Sequence, residues 1–505
     1  MLVVSAQYLE VMPMFTRSFP WTSKGFLLAS VLTLPVFLTA CPAGSSSTQI
    51  PISNPGLPAV SRAVTTIGPI SQISGGSGTG FSLTVNGTPY LVSSSTQITV
   101  NHQTTTFSAL KPGDIVTVRS SASSSSSSRD ADAIDSNAEV QGPIASIDTT
   151  THILVVLGQT VHITNTTLFD KSITGQALSG LKVGDSVEIS GQFQADGSIV
   201  ATRIEFGTPG RYEVTGTVSN ENSAVFTFNI NQLVVDYSRA TTIQGFSSGA
   251  PANGDLVDVE GTTLNSGTLE ATQLSNETNA ASQNNQQGND VNVDGVIAKF
   301  VSATDFTVAG QAITTNSSTS YKNGTRADLA ANVQIQVEGQ LDAKGVLVAQ
   351  QIEFHSQPKV EISAPVASVN TTNNTLVVMG LSVHINASTR MVDDSSTDLQ
   401  SFTLADIQTG DYVDISATQD STGTLTAVKL ERENASSTVQ LDATVDSVSN
   451  PNFSMLGITV STDSSTQFVG TSATNFFSTA KGKQVNVHGT MSGTSLMASK
   501  VEFDN

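Results

Sequence analysis

Leu181-Lys182-Val183-Gly184-Asp185 and the run that follows it, Ser186-Val187-Glu188-Ile189-Ser190, decide the fold. In the second run apolar and polar residues alternate, the period of two that marks a strand with one buried face. Gly-Asp ahead of it is a tight-turn signal, and the Leu-x-x-Gly-Asp lead-in has room for a single helical turn. About ten residues on, Ala201-Thr202-Arg203-Ile204-Glu205-Phe206 reads as a closing strand. Upstream, Leu154 to Ile163 reads as a hairpin with Gly158 at its turn, and Val140-Gln141-Gly142-Pro143-Ile144 as an opening strand. Five or six such strands in about 70 residues, with no helical period, fit a small closed barrel or a sandwich. An open sheet this Val-rich and weakly charged would leave edges that pair with neighbours.

The same pattern recurs along the chain. Gly-Asp-x-Val-x-Val is found at Gly113 to Val118, Gly184 to Ile189, Gly254 to Val259 and Gly410 to Ile415, with degraded copies at Ala331 to Ile335 and Gly482 to Val487. Closing strands keep step at Ala349 to Phe354, Ala427 to Glu431 and Ala498 to Phe503. The expected architecture is all-β, a tandem array of about six small β-barrel domains, OB-like or sandwich-like, of roughly 70–75 residues each. The boundaries are 65–138, 139–208, 209–274, 290–356, 357–434 and 435–505. Ser275 to Asn289, rich in Asn and Gln, reads as a linker and hinge between two three-repeat halves. The Ser120 to Ser128 tract reads as a hairpin loop inside repeat 1. Repeats 2 and 5 match best, with Val161-His162-Ile163 set against Val383-His384-Ile385, as a duplicated three-repeat block would leave them. Six barrels strung this way predict an extended rod.

The opening Gly-x-Ile/Val, the hairpin, Leu-x-x-Gly-Asp-x-Val-x-Val-x-Gly and the closing Ala-x-x-Ile-Glu together resemble the domain of unknown function DUF5666. That family occurs in bacterial sequences, often lipoproteins, and frequently in tandem. The resemblance covers nearly all of residues 65–505. It weakens in the fourth repeat, which lacks the Gly-Asp pair, and in the sixth, which lacks the Asp. Its motif positions are turn and core residues, so it implies a fold and brings no activity, cofactor or catalytic residue.

The N-terminus reads as an address. Residues 25–39 are one apolar run preceded by Arg17 and Lys24. The run is short for a spanning helix and suits a signal-peptide core. It ends in Leu38-Thr39-Ala40-Cys41, which resembles the bacterial lipobox, and Cys41 is the one cysteine of the chain. Residues 1–40 are therefore expected to be a lipoprotein signal peptide, Cys41 the lipidation site, and 41–64 a Pro/Ser-rich tether. Pro42, in place of the Asp that retains such proteins at the inner membrane, favours the outer membrane or cell surface. A single cysteine excludes disulfides within the chain and cysteine-based zinc sites.

The 505 residues carry 22 basic and 42 acidic side chains, a net charge of −20 that becomes −21 once the leader, with Glu10, Arg17 and Lys24, is removed. That excess of acid argues against nucleic acid as a partner. Of the six histidines, only His162 and His384 share a repeat position, and strand alternation turns both outward. Asp114, Asp185, Asp255 and Asp411 read as turn stabilisers bonding their own backbone. Asp130, Asp132 and Asp135, and Asp393, Asp394 and Asp398, are small acidic clusters that match no calcium-loop pattern. No nucleophile elbow, no His-Glu-x-x-His and no cofactor motif is present. The reading is a non-enzymatic, lipid-anchored repeat scaffold for envelope structure, adhesion or weak multivalent binding. It has no catalytic, cofactor or metal residues, and its partners are the membrane through Cys41 and envelope glycans or proteins. The alternative is a carbohydrate- or divalent-cation-binding module, for which Phe476-Phe477 is the one adjacent aromatic pair in the repeats.

Overall fold

The computed structural model describes residues 63–76, 80–121, 128–279 and 287–504. The leader, Cys41 and nearly all of the expected tether lie outside the described residues, as do 122–127 of the serine tract and 280–286 of the expected linker.

Repeat 2 shows how one unit closes. Its opening strand, Val140–Asp148, pairs with the hairpin strand Ile153–Val156, which pairs with Gln159–His162. Gln159–His162 lies parallel to the closing strand, Ile199–Phe206. The closing strand pairs with the Gly-Asp strand, Ser186–Phe193, and that strand returns to the opening one. The order 1-2-3-5-4-1 closes the ring and is that of an OB barrel, which decides between the two expected architectures; only the first half of the opening strand, paired with the Gly-Asp strand alone, keeps one side open. All six repeats close this way. Alternation holds as read: Val187, Ile189 and Ile204 are fully buried inside the barrel, with Glu188 outside it. Near Gly191 the Gly-Asp strand carries a bulge. A Cβ there would meet Val200 O at 2.6 Å, so the glycine lets the closing strand cross tightly enough to curl the sheet. Between the third and fourth strands lie short 3-10 turns such as Leu178–Gly180; repeat 6 has one helix there, Ala473–Thr479.

The repeats do not form a rod. The opening strands of consecutive repeats 2 and 3 pair antiparallel, Gln141 to Glu213 and Val140 to Val214. Those of repeats 5 and 6 pair in the equivalent register, Ser363 to Gln440 and Ile362 to Leu441. Repeat 1 instead pairs with repeat 4, Val64 to Ile67 running parallel to Asp290 to Val293. Three sheets of 14, 12 and 12 strands result, each containing two barrels. Further bonds cross between sheets: Thr202 Oγ1 donates to Gly113 O at 2.6 Å, and Ser416 Oγ to Asn165 O at 3.0 Å.

Three expectations are corrected. Repeated barrels need not be beads, because the outer edge of each opening strand still offers backbone groups that another repeat can take up. Nor does 275–289 separate two halves, since the closing strand of repeat 3, Thr268–Asn276, runs into it and repeat 4 shares a sheet with repeat 1. The tether likewise ends one residue earlier than drawn, because Val64 begins a strand.

Candidate functional site at the junction of four repeats

The Gly-Asp turns come first because they fix where every other group sits. In each of the four intact copies the Asp side chain accepts the backbone N–H three residues before it: Lys111 to Asp114, Lys182 to Asp185, Ala252 to Asp255 and Gln408 to Asp411, at 2.8 to 2.9 Å. The glycines have φ between +92° and +96°, and each donates its N–H to the opening strand of its own barrel. These carboxylates therefore act as turn stabilisers, as read. In repeat 4 the residue in this position is Asn332, at φ +67°, one place later than the sequence alignment put it. Its N–H bonds Ile297 O as the glycines bond their own opening strands, and asparagine tolerates the left-handed region.

Asp114 is tied down twice. Arg203 of repeat 2 reaches it at 3.6 Å while also holding Asp170 at 2.7 Å and Glu205 at 3.2 Å. Burial nonetheless pushes the Asp114 carboxyl up to about 7, with Arg203 opposing. The other acidic residues singled out earlier separate. Asp135 pairs with Arg119, Asp132 takes the Ser121 N–H and Asp130 is exposed. Asp393 receives Arg432 Nε at 2.9 Å, Asp398 pairs with Lys171 of repeat 2, and burial lifts Asp394 to about 8. His384 is exposed and His162 half-buried, both facing away from their barrels as expected. Phe476 is fully buried and Phe477 packs beside it, their rings 5.4 Å apart in a T-shape. This pair is core, not an exposed stacking surface, because helix Ala473–Thr479 lays it over Phe453.

A cavity of about 560 Å³ opens where four repeats meet. His102, Arg119 and Asp135 of repeat 1 line it, with Glu139 and Gln192 of repeat 2, Glu277 beside repeat 3 and Asp294 of repeat 4. Glu139 is buried and accepts the Gly191 N–H at 2.6 Å, and burial raises it well above the ordinary carboxyl range. Asp294 behaves oppositely. Burial opposes its charge, but His355 at 3.0 Å and Gln192 at 3.2 Å hold it below that range.

At the edge of this cavity the turn Asn101-His102, with φ of +46° and +58°, projects from repeat 1. Asn101 Nδ2 donates to Glu188 of repeat 2 at 2.7 Å, and Asn101 O accepts Arg211 of repeat 3 at 2.6 Å. Glu188 is therefore outside its barrel yet covered by repeat 1. The clamp carries His102 onto repeat 3, where Nε2 bonds Asp258 and lies 3.6 Å from Glu260. Glu213, on the neighbouring strand, completes the group. The ligating atoms of His102, Glu213 and Asp258 all lie within 4.8 Å of one another, the one such His/Cys/Asp/Glu set among the described residues. Glu213 is fully buried, and neither of its oxygens nor Asp258 Oδ1 takes a hydrogen bond. Burial, then the charges of Asp258 and Glu260, push Glu213 well above the ordinary range, while Arg211 at 3.9 Å offsets this in part. Burial disfavours a charge on His102 too, but the bond to Asp258 and the surrounding carboxylates raise its pKa overall. The sequence gives no hint of this set. His102 and Asp258 are 156 residues apart, in different repeats, and no spacing rule joins them.

A family model described as a domain of unknown function, DUF5666, matches residues 67–135, 141–205, 215–275, 294–353, 363–431 and 442–502. No curated protein sequence matches the chain.

Proposed function

Starting from a chain that belongs to the DUF5666 domain family in all six of its repeats, we propose a non-enzymatic, lipid-anchored scaffold of the bacterial envelope, held at the outer membrane or cell surface through Cys41. The observation that carries this reading is the sharing of sheets between repeats distant in sequence, 64–67 with 290–293 above all. Barrels meant as independent binding beads gain nothing from such fusion, whereas a platform that must hold its shape does. The acidic excess favours cationic partners or bridging ions over phosphate polymers. Weak contacts with envelope glycans or proteins are the expected mode of attachment.

Detergent-phase partitioning and fatty-acid labelling of the full chain test the reading. The wild type partitions into detergent and takes label, and Cys41→Ser does neither. Equal membrane retention of Cys41→Ser would overturn the anchor. Reproducible hydrolysis in a generic substrate panel, abolished by one point substitution, would overturn the non-enzymatic part.

A further inference from the structure

We propose that His102, Glu213 and Asp258 bind one divalent transition-metal ion, of the Zn²⁺ class, which fastens repeat 1 onto repeat 3. Three observations converge on it. The first is convergence itself: an imidazole nitrogen and two carboxylates come together from two repeats with their ligating atoms within 4.8 Å. Zinc–ligand bonds of ~2.0–2.2 Å place ligands roughly 3.5 Å apart, so a small swing of the Glu213 carboxyl completes the set. The second is the orphaned oxygen. Glu213 is fully buried with both carboxyl oxygens unbonded, and Asp258 Oδ1 is unbonded as well. Buried carboxylates ordinarily find a donor or a metal. Arg211, the nearest cation, spends its closest contact on Asn101 O and stays 3.9 Å from Glu213.

The third observation is an internal control. Repeats 5 and 6 pair in the register of repeats 2 and 3, which sets Gln440 where Glu213 stands. Along the Gly-Asp strands the same register sets Asn486 at the position of Asp258 and His488 at that of Glu260. The same architecture is thus built elsewhere in the chain with neutral amides at both carboxylate positions. The fold therefore does not require acids at these two positions. The donor set chooses the ion. Imidazole with carboxylates suits Zn²⁺ and its neighbours, whereas Ca²⁺ and Mg²⁺ prefer all-oxygen sets. The adjoining cavity, which His102 also lines, supplies a path in from solvent. On entry the ion takes the place of the proton between His102 Nε2 and Asp258 and of any proton on Glu213, and these leave to solvent.

The test is titration of the full-length, chelator-stripped chain with Zn²⁺ against a chromogenic chelator, with thermal unfolding followed in parallel. One tight equivalent per chain is expected, with a rise in the unfolding midpoint. Glu213→Gln and Asp258→Asn, which copy residues already tolerated at the twin position, and His102→Ala should each weaken Zn²⁺ at least 30-fold and remove the midpoint shift. His384→Ala, an exposed histidine, should leave both intact. A wild type with no tight equivalent, or a tight site that survives Glu213→Gln, overturns the proposal. Ca²⁺ bound more tightly than Zn²⁺ and unaffected by His102→Ala overturns the imidazole ligand.

Discussion

Gly184 and Asp185 show what a single residue contributes. The Asp carboxylate closes a loop on the Lys182 N–H, and the glycine supplies a φ of +93° that a side chain resists. Asp185→Ala should cost about 1 kcal/mol, the net worth of one hydrogen bond. Gly184→Ala should cost about 1–3 kcal/mol from backbone strain. Both are read from chemical denaturation, and a larger loss for the Asp variant than for the Gly variant would contradict this ranking. At Val187, fully buried, the change to Asp should cost at least ~3 kcal/mol, because the new charge has no partner inside the barrel. The turn chemistry and the inward set Val187, Ile189 and Ile204 were legible in sequence, because both depend on neighbours within a few residues. The shift at Asn332 was not, since asparagine stands in for glycine only through its backbone angle.

Among elements, the opening and closing strands do two jobs. Each completes its own barrel and also presents polar residues to another repeat, and only the first job leaves a periodic trace. Arg203 alternates outward as any exposed residue would, yet its side chain is 6% exposed and gathers Asp114, Asp170 and Glu205. Arg203→Met should therefore cost about 3 kcal/mol, mostly from the carboxylates left uncompensated, as calorimetry of the variant can measure.

The same burial sets a pH dependence. Burial raises Asp114, Glu433 and Asp442 to about 7 and Asp394 to about 8, and pushes Glu139 and Glu213 well above the ordinary range. In this window the folded chain keeps protons that the unfolded chain has released, so stability falls as pH rises. His102 and His355, both raised, act with the same sign: their contribution is full below the unfolded value near 6.5 and is lost as pH rises through the folded one. Carboxylates held low, such as Asp294 and Asp393, contribute above the unfolded value and are lost only below about pH 4. The unfolding midpoint, taken with chelator present, should accordingly drop between pH 5.5 and pH 8, and by less in Glu213→Gln. A midpoint that rises over this range would refute the account.

For the whole molecule, the number and kind of barrels were readable and their arrangement was not. Local periodicity reports which face of a strand is buried, but it does not report which distant strand takes the remaining backbone edge. The opening strands of repeats 1 and 4 look no different from the rest, yet they meet in parallel. A fragment ending before repeat 4, residues 58–279, should thus expose that edge and self-associate in sedimentation velocity, while the full chain remains monomeric. A monomeric fragment as stable as the corresponding part of the full chain would show that the shared sheet contributes little.

That parallel seam also sets a timetable. Ile67 faces Val293, about 226 residues further along the chain. Delivered from the N-terminus, the first barrel waits for that whole length of chain before its neighbour arrives, with a strand edge open throughout. The edge made first is thus covered only when the fourth repeat arrives. A holding chaperone that recognises extended, unpaired chain should therefore protect the protein most before residue 293 has been delivered.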